Sequence, residues 1–402
     1  MKIFKRNILI FLTFCAAFLA CVDPYSIDIS SSKGYIIIDG VLTDLNEPQF
    51  LTIFRTSENA QFKSSEFTSI ILAQKKEALP VTDANVKIIV DGKQSINLQE
   101  TLPGYYYLPD NFKAKVGSTY QLWFQTTNGK TYESPLETML PVPAISSIRE
   151  EFNKTGVKKY PTSDERISTN DFYIDFQDTP TEKNFYRWRW TQWETQKYCE
   201  TCSQGRYFLY EDENGENGTC YRDLTLNYNN IFDYTCGTSC WDIFYSSDIN
   251  IFSDVFTDGQ LQKNKLVAQI PLYQSNQCLV SIQQMSLSPN AFRYFKLIQD
   301  QSVNTGTLAD TPPAPIKSNV YNKDDAGELV LGYFSVSAVS EQKYMLTRKN
   351  ATGAGLNALF FTKNNRLPQP EESSVERLDI PLAICKKSLS RTPIKPAGWQ
   401  IQ

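Results

Sequence analysis

The chain has no histidine among its 402 residues. Without an imidazole there is no Ser-His-Asp triad, no Cys-His dyad, and no zinc or haem site that relies on His as a ligand. A surplus of positive charge is also missing: 40 Lys and Arg face 44 Asp and Glu, a formal net charge of -4. That balance offers no electrostatic footprint for nucleic acid. Removing residues 1–20, with Lys2, Lys5 and Arg6, leaves 37 basic against 44 acidic side chains, or -7. Beyond those residues no apolar run reaches the roughly 18 residues of a spanning helix. What is abundant is aromatic, with 22 Tyr, 24 Phe and 6 Trp. This excludes a disordered or coiled-coil chain and favours β-rich globular structure. At about 150 residues per domain, the length predicts two or three domains.

The first twenty residues set the compartment. Lys2, Lys5 and Arg6 precede an apolar run over 8–20, the charged and short apolar regions of an export signal that is removed rather than folded. The run closes on Leu19-Ala20-Cys21, which resembles the lipobox cleaved by lipoprotein signal peptidase after the thiol is acylated. Cys21 is then the expected lipidated N-terminus. Two or three acyl chains would hold it in the outer-membrane lipid leaflet without a span, facing either the cell surface or the periplasm. Residues 21–34 read as a short tether.

The mature chain reads as mainly β. Over 35–142 apolar residues alternate with period two between regular turn signals, among them Asp91-Gly92 and Asn128-Gly129, predicting about seven strands of an immunoglobulin-like sandwich. The segments Pro80-Val81-Thr82-Asp83, Gly104-Tyr105-Tyr106 and Val116-Gly117-Ser118-Thr119-Tyr120 resemble transthyretin-like or carboxypeptidase-regulatory-like sandwiches, which do not catalyse. Leu140-Pro141-Val142-Pro143 reads as a linker, because two prolines deny both helix and central strand. A larger β-rich second domain over 143–402 follows. In it Tyr186, Trp188 and Trp190 alternate with Arg187 and Arg189, so the aromatics are assigned to the core. One main helix is expected from the cap Ser288 and Pro289 to near Gly306, with Phe292, Phe295 and Ile298 on one stripe. A proline-rich loop over 308–315, strands from Leu329 to Ala338 and from Lys343 to Thr347, and an irregular tail from Arg391 complete it.

Apart from Cys15 in the signal and Cys21, seven cysteines remain: Cys199, Cys202, Cys220, Cys236, Cys240, Cys278 and Cys385. Five fall in a cysteine-rich insertion over 199–240. Cys199-x-x-Cys202 with Cys236-x-x-x-Cys240 has nearly the spacing of a four-thiolate zinc site. Outside the inner membrane, disulfides are the stronger expectation, and seven thiols allow at most three bridges with one left over. No metal or other cofactor is assigned. The cluster 211–218, and Asp248 with Asn250, Asp254 and Asp258, read first as solvated turns and only second as calcium ligands, since neither follows the EF-hand order. No catalytic residue is assigned. Tyr207, Asp212, Asn214 and Trp241, in or beside the insertion, are the expected contact residues, because loops on a rigid scaffold carry binding.

The order of features resembles a known family. Tyr35-Ile36-Ile37-Ile38-Asp39-Gly40, Tyr186-Arg187-Trp188, Ser239-Cys240-Trp241, Gln283-Gln284-Met285-Ser286-Leu287-Ser288, Phe292-Arg293-Tyr294-Phe295 and Leu331-Gly332-Tyr333-Phe334-Ser335 are similar to the Bacteroidota lipoprotein family described as domain of unknown function 4249. The resemblance spans nearly all of the mature chain. It implies an accessory or binding lipoprotein accompanying a TonB-dependent outer-membrane transporter, and brings no catalytic residues. Only Cys385 precedes the closing Pro396-Ala397-Gly398-Trp399 where the family has two cysteines, which leaves Cys385 a candidate for the odd thiol, while the spacing itself does not choose among the pairings. The rival expectations are a surface hydrolase with paired carboxylates and an envelope adhesin.

Overall fold

A computed structural model describes residues 34–56, 78–159, 164–180, 183–213, 215–303, 316–351, 358–374 and 377–400. The signal, Cys21 and Asn214 lie outside these residues. The fold is mainly β, in two sandwiches with a small disulfide-bonded head.

In the first sandwich one sheet runs in the order Val330–Ser337, Ile36–Thr43, Phe50–Thr56, Tyr105–Tyr107, Gln99–Leu102, with Ala78–Pro80 beside the third strand. The facing sheet is Tyr321–Asn322, Thr131–Glu133, Thr119–Gln125, Asn85–Val90, Gln94–Asn97, with Glu137–Thr138 at Thr119–Gln125. Period-two alternation turns Ile36, Ile38, Ile53, Val86, Ile88, Leu122 and Phe124 into one core. The Asp91-Gly92 turn takes positive φ at both residues (51° and 65°), the backbone that matches the twist of a two-residue hairpin.

This sandwich is not confined to 35–142. Ile36–Thr43 pairs in parallel with Val330–Ser337 over eight residues, from Ile36 opposite Val330 to Thr43 opposite Ser337. The late segment brings Val320, Val330, Phe334 and Val336 into the same core. Parallel strands need a long crossover, and here it runs through the rest of the first sandwich and most of the second, whose strands Val339–Leu346 and Arg391–Thr392 come only after it. Local periodicity carries no information about so distant a partner.

The second sandwich faces a sheet of Ile145–Lys158, Arg166–Gln177 and Leu261–Pro271 against one of Val339–Leu346, Cys278–Ser286, Phe185–Thr195, Trp241–Tyr245 and Arg391–Thr392, with Asn250–Ser253 beside Phe185–Thr195. Tyr186, Trp188 and Trp190 point into its core, as their alternation requires. Glu194 and Arg348 are paired there at 0% exposure of both side chains. Arg348 also donates to the carbonyls of Gln274 and Asn276 at 2.8 and 2.9 Å.

Three devices fix the sandwiches to each other. The chain passes from Val330–Ser337 in the first directly into Val339–Leu346 in the second. The prolines of 141–143 cannot donate, but the carbonyls around them are received: Ser286 Oγ donates to Leu140 O at 2.7 Å and Gln284 Nε2 to Pro143 O at 2.9 Å. Helix α1, Pro289–Val303, lies on the seam, with Phe295 and Ala291 packed on Tyr333. The Ser288 hydroxyl caps it by accepting from Ala291 N at 3.2 Å.

Gly332 is where the parallel pairing is most exacting. Its φ is +85°, and a Cβ there would stand 1.7 Å from the Ile38 carbonyl oxygen. Gly332→Ala is therefore expected to prevent the sandwich from closing and to abolish recovery of soluble, cooperatively unfolding protein. Gly92→Ala, at φ +65° with nothing within 4 Å, is expected to cost only about 1 to 2 kcal/mol. Urea unfolding followed by tryptophan fluorescence distinguishes the two. Equal behaviour of the variants would contradict the pairing.

Candidate functional site

The cysteine-rich segment folds as two ribbons, Tyr198–Ser203 with Ile231–Thr235 and Gly205–Asp212 with Gly215–Arg222. Three disulfides close it: Cys199 with Cys236, Cys202 with Cys220, and Cys240 with Cys385. All four sulfurs of the zinc-like spacing are thereby committed. The odd thiol is Cys278, not Cys385. Cys278 is buried in the core of the second sandwich, opposite Leu346 in the sheet. Cys385 reaches Cys240 because the C-terminal segment folds back over the head.

That return segment is tied down by charge. Asp233 accepts from both terminal nitrogens of Arg366, at 2.6 and 2.8 Å, and from Gln369 N at 2.8 Å. Glu371 pairs with Arg206 and accepts from Tyr234 OH at 2.5 Å. Asp242 at the base sits between Lys363 and Arg391, each at 2.7 Å. Burial acts to raise the Asp242 pKa, but the two cations outweigh it and hold the group below the usual carboxylate range.

The four expected contact residues separate. Tyr207 is 0% exposed and donates no contact outward; its hydroxyl accepts from Ile384 N at 3.1 Å. Gly218 makes room for it, since a Cβ would stand 1.8 Å from the Tyr207 hydroxyl. Trp241 is buried against Trp399 and Leu279 at the floor of an open 530 Å³ hollow that also includes Lys395. Asp212 is exposed at the hairpin end and accepts from Asn217 Nδ2 at 2.8 Å. Asn214 lies outside the described residues. What the head displays instead is aromatic and apolar: Phe208, Tyr210, Tyr221, Leu224 and Tyr228 are all exposed. Phe208, Tyr210 and Tyr221 were legible as the positions alternate to Tyr207 and its partner Cys220 on the hairpin, while Leu224 and Tyr228 lie in the turns after it. Arg377 covers the Phe208 ring at 4.4 Å.

A second candidate is the cleft between the sandwiches, a 200 Å³ cavity lined by Asp39, Arg187, Arg189, Met285, Tyr294 and Phe295 among others. Arg187 and Arg189 alternate with the core aromatics and so face this cleft. The Arg187 guanidinium lies 4.1 Å from the Phe295 ring centroid, and its buried Nε has no hydrogen-bond partner. Burial first, and Arg189 second, lower its pKa to about 10, against the pull of Asp39, Asp248 and Tyr294. Burial also pushes the carboxyls of Asp248 and Glu47 up. Two cations on one wall, one with an unused donor, can receive an anionic group.

Residues 22–343 match the family model described as Domain of unknown function (DUF4249). No curated protein and no solved structure matches the chain.

Non-reducing peptide mapping is expected to return the three bridges above, with Cys278 alkylated only after unfolding. The Cys240 to Cys385 bridge closes the longest loop, at a sequence separation of 145. In the chain-entropy account its loss in a Cys240→Ser, Cys385→Ser variant costs about 5 kcal/mol, against about 3 for the Cys202 to Cys220 bridge. A Cys385 thiol free in the native protein would refute this arrangement.

The base of the head is also pH-dependent. Asp242 has a folded pKa below its unfolded value, so its contribution is present above about pH 3.9 and is lost as pH falls through the folded value. Asp242→Asn should remove that acid-limb loss, lowering stability at pH 6 while flattening its dependence below pH 4, as read by near-UV circular dichroism.

Proposed function

The chain belongs to the family of domains of unknown function matched over 22–343, and from that premise we propose that it is a non-catalytic binding subunit of the cell envelope. In this reading Cys21 carries the lipid that tethers it to the outer membrane, and the partner is a TonB-dependent outer-membrane barrel. The observation that carries the reading is the exposed aromatic side chains of the head: Phe208 and Tyr221 pair on the hairpin with ring centroids 5.7 Å apart, Tyr210 is exposed further along it, and Tyr228 is exposed in the following loop. Aromatic residues fixed on a rigid frame are the usual anchors of protein interfaces. Three disulfides supply the frame. The arginine-walled cleft supports a ligand or partner segment bearing an anionic group, such as a carboxylate.

Recovery of the tagged protein from native outer membrane in mild detergent tests the reading. A barrel recovered in stoichiometric amount, with an acylated Cys21 in the intact-mass spectrum, is the expected result. Tyr221→Ala with Tyr228→Ala should reduce that recovery about tenfold or more while leaving the thermal transition in place. Recovery of the lipoprotein alone, or a barrel retained equally by the double variant, would count against it.

A further inference from the structure

The second sandwich contains a cluster of carboxylates that nothing in the binding reading uses. Asp178 directly follows the strand Arg166–Gln177, and Asp254 and Asp258 belong to the turn between Asn250–Ser253 and Leu261–Pro271. Each offers one oxygen, and these oxygens lie within 4.8 Å of one another. Asp178 is committed on both sides: its Oδ1 accepts from Tyr186 OH at 2.5 Å and its Oδ2 from Gly259 N at 3.1 Å. Asp254 is not. It is 0% exposed, and neither of its carboxylate oxygens has a hydrogen-bond partner. In the same turn the Thr257 hydroxyl is also buried without a partner.

A buried carboxylate with both oxygens idle costs several kcal/mol unless something positive meets it. Among the described residues no basic side chain pairs with Asp254. We propose that Asp178, Asp254 and Asp258 bind a divalent cation, and that the cation is calcium. The donors are all oxygen, which selects a hard ion over zinc or copper. Irregular side-chain oxygens in a turn suit the flexible six to eight ligands of calcium better than the strict octahedron of magnesium. Asp258, the exposed member, stands on the solvent side, where an ion enters.

The site's position gives it a consequence. Asp178 belongs to one sheet of the second sandwich, while the turn of Asp254 and Asp258 joins a strand of the facing sheet back to the first. Through its hydroxyl, Tyr186 links the cluster to the aromatic core of Phe176, Trp188 and Phe252. Calcium therefore clamps one end of the sandwich. It acts on stability and on the strand that carries Arg187 on its opposite face.

The test is thermal unfolding of the full chain in detergent after chelator treatment, with calcium chloride or magnesium chloride added back. Calcium at a hundredfold excess over its Kd should raise Tm by about 5 °C. Asp254→Asn should abolish that shift, and in chelator it should melt no lower than the parent, because it removes an uncompensated buried charge. A variant that lost only a structural contact would instead melt lower in both conditions. Asp212→Asn on the exposed hairpin should keep the full shift. A parent Tm indifferent to calcium, as two carboxyls sharing a proton would give, overturns the site. So does a shift that survives Asp254→Asn, while a larger shift with magnesium overturns the choice of ion. None of these outcomes depends on whether a barrel partner exists.

Discussion

Because Ile36–Thr43 can complete its sheet only by pairing with Val330–Ser337, the first sandwich must wait for a strand made near the other end of the chain. Loop-closure entropy grows slowly with length, so the long crossover is affordable once the intervening segment folds by itself. That segment carries most strands of the second sandwich, whose larger sheet is completed by Val339–Leu346 and Arg391–Thr392 further along the chain. The chain then runs without a break from Ser337 into Val339–Leu346, so the two bodies share a strand path. Helix α1 and the hydrogen bonds to Leu140 and Pro143 lock the angle between them. A cleft formed at such a seam is a fixed feature rather than a gap between tethered beads.

Much of this was legible locally. The alternation at Tyr186, Trp188 and Trp190 marks a half-buried strand because side chains on a pleat point to opposite faces. Ser288 and Pro289 mark the start of α1 because cap chemistry acts within one turn. Contiguous domain boundaries, by contrast, drew the first sandwich at 35–142, since no periodic signal links Ile36 to Val330. The odd thiol was missed for the same reason. Cys385 was a candidate because the resembled family has two cysteines where this chain has one, whereas pairing depends on where Asp233, Glu371 and Asp242 draw that end of the chain. Tyr207 looks like a contact residue in a polar insertion, yet a small head needs a core of its own. Tyr207, Tyr234 and the half-cystines supply it.

The arrangement of charge separates what holds the protein together from what is left for something else to meet. Glu194 with Arg348, Asp233 with Arg366, and Asp242 with Lys363 and Arg391 show the ordinary treatment, in which each buried or half-buried ion has an opposite partner in contact. Removing one member of such a pair is costly because the other is stranded in a poor solvent. Arg348 and Arg377 also hold a buried Nε without a hydrogen-bond partner, but each is paired with a glutamate; among the described residues Arg187 has no such pair and Asp254 has two idle oxygens, and these exceptions carry opposite sign. Arg187 faces a cleft and Asp254 faces two further carboxylates. Neither can satisfy the other, since Tyr186 and Arg187 sit on opposite faces of one strand and the cluster is joined to the Tyr186 side. A fold that elsewhere compensates its buried charges internally thus leaves one demand for an anion and one for a cation, and those two demands are where external chemistry enters.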